Sequence, residues 1–356
     1  MYKVRGRSLG QSLGGIRGSL HQARLKVTPG GRRRLFLERG AQYSKDRSSA
    51  LAHVDEHAIV ESDGINIHTF RVGPDDKDAP TVVFIHGFTL AAEVYFMQVD
   101  YLQQRFPQVK SVLIDARGHG STGRVDPELC TVEGTANDVM AAIKQHAPEG
   151  ELILVGHSLG GLTALNLIKR ADAELKQRIR GIVLVATSIE SLSTQGIPQV
   201  LASPLADNVK NAVEAAPNDA RKFREHAAKF LAPTLATAVF QRDTDSEIIE
   251  FHAAMIHETP LDTFVGFFDD LQEHEELDAA DALCDVSGFV LAGEHDDVTP
   301  ISQADRICEV WPKAHLQIAE GAGHMIPLEA PGILNNAIGR LLEEMGMVPA
   351  VASKSD

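Results

Sequence analysis

Short, uninterrupted apolar runs recur along this chain with helix-length stretches between them, and few folds accept that pattern. Thr81-Val82-Val83-Phe84-Ile85, Val112-Leu113-Ile114, Leu152-Ile153-Leu154-Val155, Ile182-Val183-Leu184-Val185 and Gly288-Phe289-Val290-Leu291 read as strands buried on both faces. His315-Leu316-Gln317-Ile318 is a further strand. Residues 91–106, 132–146, 159–170, 301–310 and 333–344 read as the intervening helices. Strands that are apolar on both faces need helices on both faces, so the class is α/β with a mainly parallel sheet. Two alternating runs, 57–61 and 65–72, flank Asp63-Gly64, a hairpin signal that adds an antiparallel edge and brings the sheet to eight strands.

The strand pattern lapses between Thr187 and Leu283. About 95 residues without it cannot be a plain loop in a compact domain. Breaks near Pro198, Pro204, Pro217, Pro233 and Pro260 divide the segment into several helices. Its place between strands 6 and 7 makes it a helical lid. It holds seven of the 14 phenylalanines: Phe223, Phe230, Phe240, Phe251, Phe264, Phe267 and Phe268. Most are expected to form a core of the lid's own, and some to line an apolar pocket. The chain thus divides into a basic, flexible tail over 1–50, a first core part over 51–187, the lid over 188–283 and a second core part over 284–350.

Charge supports the tail. The chain carries 34 Lys+Arg against 49 Asp+Glu, a net charge of −15 that disfavours nucleic acid as a partner. Residues 1–47 nevertheless hold 12 Lys/Arg and only Glu38 and Asp46, leaving 22 basic and 47 acidic residues for the remainder. Arg33-Arg34 is not a twin-arginine export signal, because Glu38-Arg39-Gly40-Ala41-Gln42 stands where an apolar stretch is required. Leu9, Leu13, Ile16 and Leu20 recur at helical spacing among Arg5, Arg7, Arg17 and Arg24, which suits a peripheral contact with an anionic membrane surface. Gly6, Gly10, Gly14, Gly15 and Gly18 oppose a helix there, at roughly 1 kcal/mol each, and favour a solvated tail. A cut near residue 50 is therefore expected to spare the folded part. No apolar run approaches the roughly 18 residues of a transmembrane helix. Cys130, Cys284 and Cys308 are far apart and odd in number, which indicates neither disulfide framework nor zinc ribbon but thiols of a reducing, cytoplasmic compartment.

The chemistry is concentrated where strands end. Gly156-His157-Ser158-Leu159-Gly160-Gly161 joins the run ending at Val155 to a helix. A tight strand-to-helix turn of this kind needs small neighbours and pushes the serine into the open, at a helix N-terminus that favours developing negative charge. A serine hydroxyl needs a base, and His324, beyond the last strand and preceded by Gly321 and Gly323, is the candidate. The base in turn needs a carboxylate to fix its tautomer. Glu294, Asp296 and Asp297 all follow the penultimate strand. Charge on a substrate oxygen would be met by the backbone N–H of Phe88, in His86-Gly87-Phe88-Thr89, and by that of Leu159.

These segments, with Asp115-Ala116-Arg117-Gly118-His119-Gly120-Ser121 and the Glu329 and Pro331 that follow His324, resemble the α/β-hydrolase superfamily in its lidded serine esterase and lipase branch. The resemblance spans about residues 55–346. It implies the α/β-hydrolase fold and, from the pattern Gly-x-x-Asp-x-Val-x-Pro over 293–300, selects Asp296 as the acid, with Asp297 as the fallback. It implies neither metal nor organic cofactor. Relatives that open epoxides or remove halide carry aspartate at the elbow, where this chain has Ser158. His119 belongs to a turn of the fold and is assigned no chemistry, and His252 and His257 match no zinc spacing. The expected activity is hydrolysis of a carboxylic ester, acyl or lipid-like, through an acyl-enzyme. C–C bond hydrolysis of a diketone, amide hydrolysis, perhydrolysis and acyl transfer share the same residues, and a ligand receptor on this fold is the non-enzymatic alternative.

Overall fold

The apolar runs are strands of one sheet. A computed structural model of the chain describes residues 28–39, 48–191 and 238–350. Its strands are β1 (Glu56–Ser62), β2 (Ile65–Val72), β3 (Thr81–Ile85), β4 (Lys110–Asp115), β5 (Leu152–His157), β6 (Ile179–Val185), β7 (Ser287–Gly293) and β8 (Ala314–Ala319). They lie in the order β1-β2-β4-β3-β5-β6-β7-β8. β1 and β2 form the expected hairpin, with Asp63 at φ 52° and Gly64 at φ 76°. Two successive left-handed residues are what a two-residue turn matched to strand twist requires. β2 also pairs antiparallel with β4, and every pairing from β4 through β3 to β8 is parallel.

Among the described residues, the helices longer than four residues are α1 (Pro29–Arg39), α2 (Phe96–Arg105), α3 (Val132–His146), α4 (Leu159–Arg170), α5 (Ala173–Arg178), α6 (Ser246–Glu258), α7 (Leu261–Glu273), α8 (Ile301–Val310) and α9 (Pro331–Glu344). Alternate residues of each strand serve the two faces of the sheet. Val82 and Phe84 pack with Val99 and Leu102 of α2 and Leu334 and Ile338 of α9. Val83 and Ile85 pack with Val139 of α3, Leu165 of α4 and Trp311 after α8. The helix expected over 91–106 divides into a 3₁₀ turn, Ala92–Tyr95, and α2, with the Ala92 N–H held by Asp115 Oδ1 at 2.8 Å.

The N-terminal segment departs from the expectation of a tail over 1–50. Its residues 1–27 and 40–47 lie outside the described residues, but α1 is part of the fold. Leu37 is 1% exposed within the main core, and the Phe36 ring stacks on Phe251 of α6 at 4.6 Å. Arg33 is buried between Glu93 (Nε–Oε2, 3.0 Å) and Glu258 (Nη2–Oε2, 2.7 Å). Composition marked this stretch as solvated because its arginines dominate. The fold uses one of them to cross-link α1 to both the core and α6.

The lid's residues 192–237, with Phe223 and Phe230, also lie outside the described residues. Among the described residues Phe264 packs on Ile256 of α6 in a small cluster within the segment, whereas three other phenylalanines join larger clusters of the domain. Phe240 and Phe251 belong to the main core beside α2. Phe267 is fully buried against Leu159 and Leu162 of α4. These apolar side chains bind α6 and α7 to the α/β core, burying the apolar stripe of each helix against it.

Candidate active site

The sheet sends Ser158, Asp296 and His324 to one end, each just past the carboxyl terminus of a parallel strand: β5, β7 and β8. Open parallel sheets place their sites there. Ser158 sits at φ 52° and ψ −117°, a conformation that a non-glycine residue adopts only when its surroundings enforce it. They do so through its backbone. The Ser158 N–H donates to the Val185 carbonyl at 2.9 Å, and the Ser158 carbonyl accepts from Gly161 N–H at 2.8 Å and Thr187 Oγ1 at 2.7 Å. The flanking glycines are required sterically. A Cβ on Gly156 would run into the Gly160 carbonyl, and one on Gly160 into the Ile85 carbonyl.

Of the three carboxylates beyond β7, Asp296 is the one bonded to His324, with Nδ1 donating to Oδ2 at 2.9 Å. Thr299 Oγ1 donates to the same oxygen at 2.7 Å, while Oδ1 accepts the Val298 and Thr299 N–H groups at 2.8 and 3.0 Å. Burial opposes ionisation of Asp296, but the His324 charge and these hydrogen bonds outweigh it and hold the carboxyl below its ordinary range. Glu294 and Asp297 are exposed, and Glu294 instead accepts the Gly321 N–H at 2.7 Å.

Among the described residues the Ser158 hydroxyl is not hydrogen-bonded to His324. The link between them is His157, whose Nε2 donates to the His324 carbonyl at 2.9 Å. Nucleophile–base contacts are often loose without substrate and tighten on binding. Burial, followed by the neighbouring His324, drives the His157 pKa down to about 3, so His157 is a neutral strut.

The Phe88 loop is held from below. The buried His86 accepts the Ala116 N–H on Nε2 at 3.1 Å, which leaves Nδ1–H to donate to the Gly87 carbonyl at 2.8 Å. His119 does the same for the next residue. Its Nε2 accepts the Thr89 N–H at 3.0 Å and its Nδ1 donates to the Arg117 carbonyl at 2.9 Å. Burial lowers the His119 pKa to about 3, which keeps an acceptor lone pair on Nε2. Thr89 is left at φ 64°. Among the described residues neither the Phe88 nor the Leu159 N–H has a hydrogen-bond acceptor, as donors reserved for a substrate oxygen would require.

His119, assigned no chemistry from sequence, therefore supports the loop that carries the Phe88 N–H. Nothing local in the sequence showed this, because Thr89 is 30 residues away. The Phe88 ring packs edge-on to Phe264 at 5.1 Å and lies 6.0 Å from Phe267, both on α7. Thr263 Oγ1 fastens α7 to the Gly118 carbonyl at 2.9 Å. Helix α7 thus supplies an aromatic wall beside the candidate oxyanion donors. Among the described residues no group of three or more His, Cys, Asp or Glu side chains could hold a metal ion, and no helix is long and apolar enough to cross a membrane.

The model of the alpha/beta hydrolase family matches residues 82–337. The sn-1-specific diacylglycerol lipase of Mus musculus is 24% identical over 268 residues, covering 75% of this chain and 82% of that protein. Among solved structures, the enol-lactonase from Burkholderia xenovorans superposes with TM-score 0.65 at 19% identity, covering 81% of this chain and all of that one. An esterase from Exiguobacterium antarcticum gives TM-score 0.64 at 16% identity, with coverage of 81% and 100%. At those identities the structural likeness is one of fold.

Proposed function

The chain belongs to the alpha/beta hydrolase family, and on that premise we propose that it is a serine hydrolase cleaving a carboxylic ester through an acyl-enzyme. Ser158 attacks the ester carbonyl while His324 Nε2 takes its proton. The tetrahedral oxyanion is received by the Phe88 and Leu159 N–H groups. His324 then protonates the leaving alcohol, and its imidazolium is stabilised by Asp296. Water, deprotonated by the same imidazole, releases the acid and restores Ser158. No cofactor enters these steps.

The observation that carries this reading is the His324–Asp296 bond, 2.9 Å long. Asp296 has every acceptor direction but one filled by Val298 and Thr299, so it is built to accept Nδ1–H and leave Nε2 free. The curated relative named as a diacylglycerol lipase supports an ester as substrate. The Phe88–Phe264–Phe267 wall favours an apolar or lipid-like acyl group over a sugar or phosphate. C–C, amide, peroxide-forming and acyl-transfer reactions would use the same five groups. The basic residues of 1–27, which contain no acid, remain candidates for contact with an anionic membrane surface.

A fluorophosphonate probe should label the wild-type protein at Ser158 and should not label Ser158→Ala. A folded wild-type protein that neither labels nor turns over p-nitrophenyl esters would sink the proposal. Comparing ester chain lengths with a vinylogous diketone panel separates ester from C–C chemistry. Cosedimentation with anionic liposomes, with and without residues 1–27, tests the membrane contact, and equal binding would refute it.

A further inference from the structure

The loop that carries His324 is gripped by a carboxylate that the reaction does not use. Glu329 ends the helical turn Ile326–Glu329 and is buried, 8% exposed. A buried carboxylate needs compensation. Among the described residues no Lys or Arg side chain pairs with it; its oxygens accept four backbone N–H groups instead. Oε2 takes Gln241 at 2.8 Å and Arg242 at 2.9 Å. Oε1 takes Met325 at 3.0 Å, and Gly323 N–H lies 3.1 Å from both oxygens.

Two of those donors flank His324 and two belong to the segment that leads into α6. That segment also takes the His324 N–H, on the Val239 carbonyl at 3.1 Å. Gly323 permits the approach, since a Cβ there would lie 2.8 Å from the Val239 oxygen. The His324 carbonyl is already held by His157. The three N–H groups from Gly323 to Met325 are thus fixed by Glu329, directly for Gly323 and Met325 and at one remove for His324, while the His324 carbonyl is held by His157; none of these bonds touches the imidazole. A glutamine could not replace the carboxylate. Its single amide oxygen can serve the Gln241 and Arg242 side or the Gly323 and Met325 side, and its NH₂ would face N–H donors on the other.

We propose that Glu329 is a positioning residue for His324: it clamps residues 239–242 and 323–325 together and so holds the imidazole in register with Asp296 and Ser158. This rests on His324 being the base, as in the function proposed above.

Glu329→Gln should lower kcat for a p-nitrophenyl ester by about 10- to 100-fold while KM stays within about threefold, the signature of a misplaced base rather than a lost substrate contact. The acid limb of kcat/KM should move to lower pH. The Asp296 bond, which stabilises the imidazolium, is loosened when the loop is no longer clamped. Glu329→Asp keeps two acceptor oxygens and should bring the acid limb back towards wild type, with kcat between wild type and Gln. Should both variants fail to fold, amide exchange in the wild-type protein decides. The Gln241, Arg242, Gly323 and Met325 amides must open as one unit, and independent exchange overturns the clamp. Wild-type activity with an unchanged kcat and acid limb in Glu329→Gln likewise overturns the clamp alone. A wild-type protein without turnover or labelling removes the serine-hydrolase reading first.

Discussion

Replacing Asp296 by asparagine tests the candidate site at its most constrained point. The shape is preserved and the consequence can be traced atom by atom. The Val298 and Thr299 N–H groups donate to Oδ1 and cannot reverse, so the amide oxygen must take that position and the NH₂ must take the place of Oδ2. There it faces Thr299 Oγ1, which can rotate to accept, and His324 Nδ1 at the 2.9 Å contact. His324 can meet an NH₂ only by presenting the Nδ1 lone pair, which moves its proton to Nε2. The imidazole then has no lone pair for the serine proton, and the anion that would stabilise the imidazolium is also gone. For a triad built this way the loss is about 10⁴-fold in kcat, or about 5–6 kcal/mol of barrier. Stability should change far less, by about 1 kcal/mol, because one hydrogen bond is exchanged for another. The assay is kcat and KM for a p-nitrophenyl ester, with thermal melts to confirm folding. Asp297→Asn is the control, since Asp297 is exposed and should be nearly silent. A folded Asp296→Asn protein that loses less than about tenfold would refute the reasoning, as would an Asp297→Asn protein that loses more.

Further expectations follow from the packing and charge networks. Leu37→Ala, at a site 1% exposed, should cost about 2–5 kcal/mol in urea unfolding, whereas deleting residues 1–27 leaves α1 and its contacts in place. Deleting residues 1–39 should be worse than Leu37→Ala, because Glu93 and Glu258 also lose Arg33. His274, just past α7, is half-buried, which alone would lower its pKa, but bonds to Asp270 and Glu276 outweigh burial and raise it to about 9. A raised folded pKa means tighter proton binding in the folded state. The stabilisation is therefore complete below about pH 6.5 and falls away as pH rises towards 9, by a total on the order of 3 kcal/mol. Urea midpoints from pH 6 to 9.5 should show this decline in the wild type and a flatter profile in His274→Gln, and parallel profiles would contradict it.

How much of this was legible in the chain depends on the range of the interaction that decides each feature. The eight strands, the hairpin at Asp63-Gly64 and the sharp turn at Ser158 follow from hydropathy period and backbone sterics within a few residues, and the sequence alone determined them. So did the chain order of Ser158, Asp296 and His324, once motif and strand ends were read together. Choosing among Glu294, Asp296 and Asp297 needed a family pattern before the structure, because three carboxylates within four positions look alike until one of them is seen to meet His324. The role of α1 was hidden for a related reason. An arginine-rich stretch reads as solvated unless its partners are known, and those of Arg33 lie 60 and 225 positions away, at Glu93 and Glu258. The destinations of Phe251, Phe264 and Phe267 were equally open, since an apolar side chain specifies burial but not against what. His119 beneath Thr89, and Glu329 around the His324 loop, complete the set that only the tertiary structure decided. Each accepts at least one backbone N–H from a segment remote in sequence, and a backbone donor leaves no signature in the identity of its own residue.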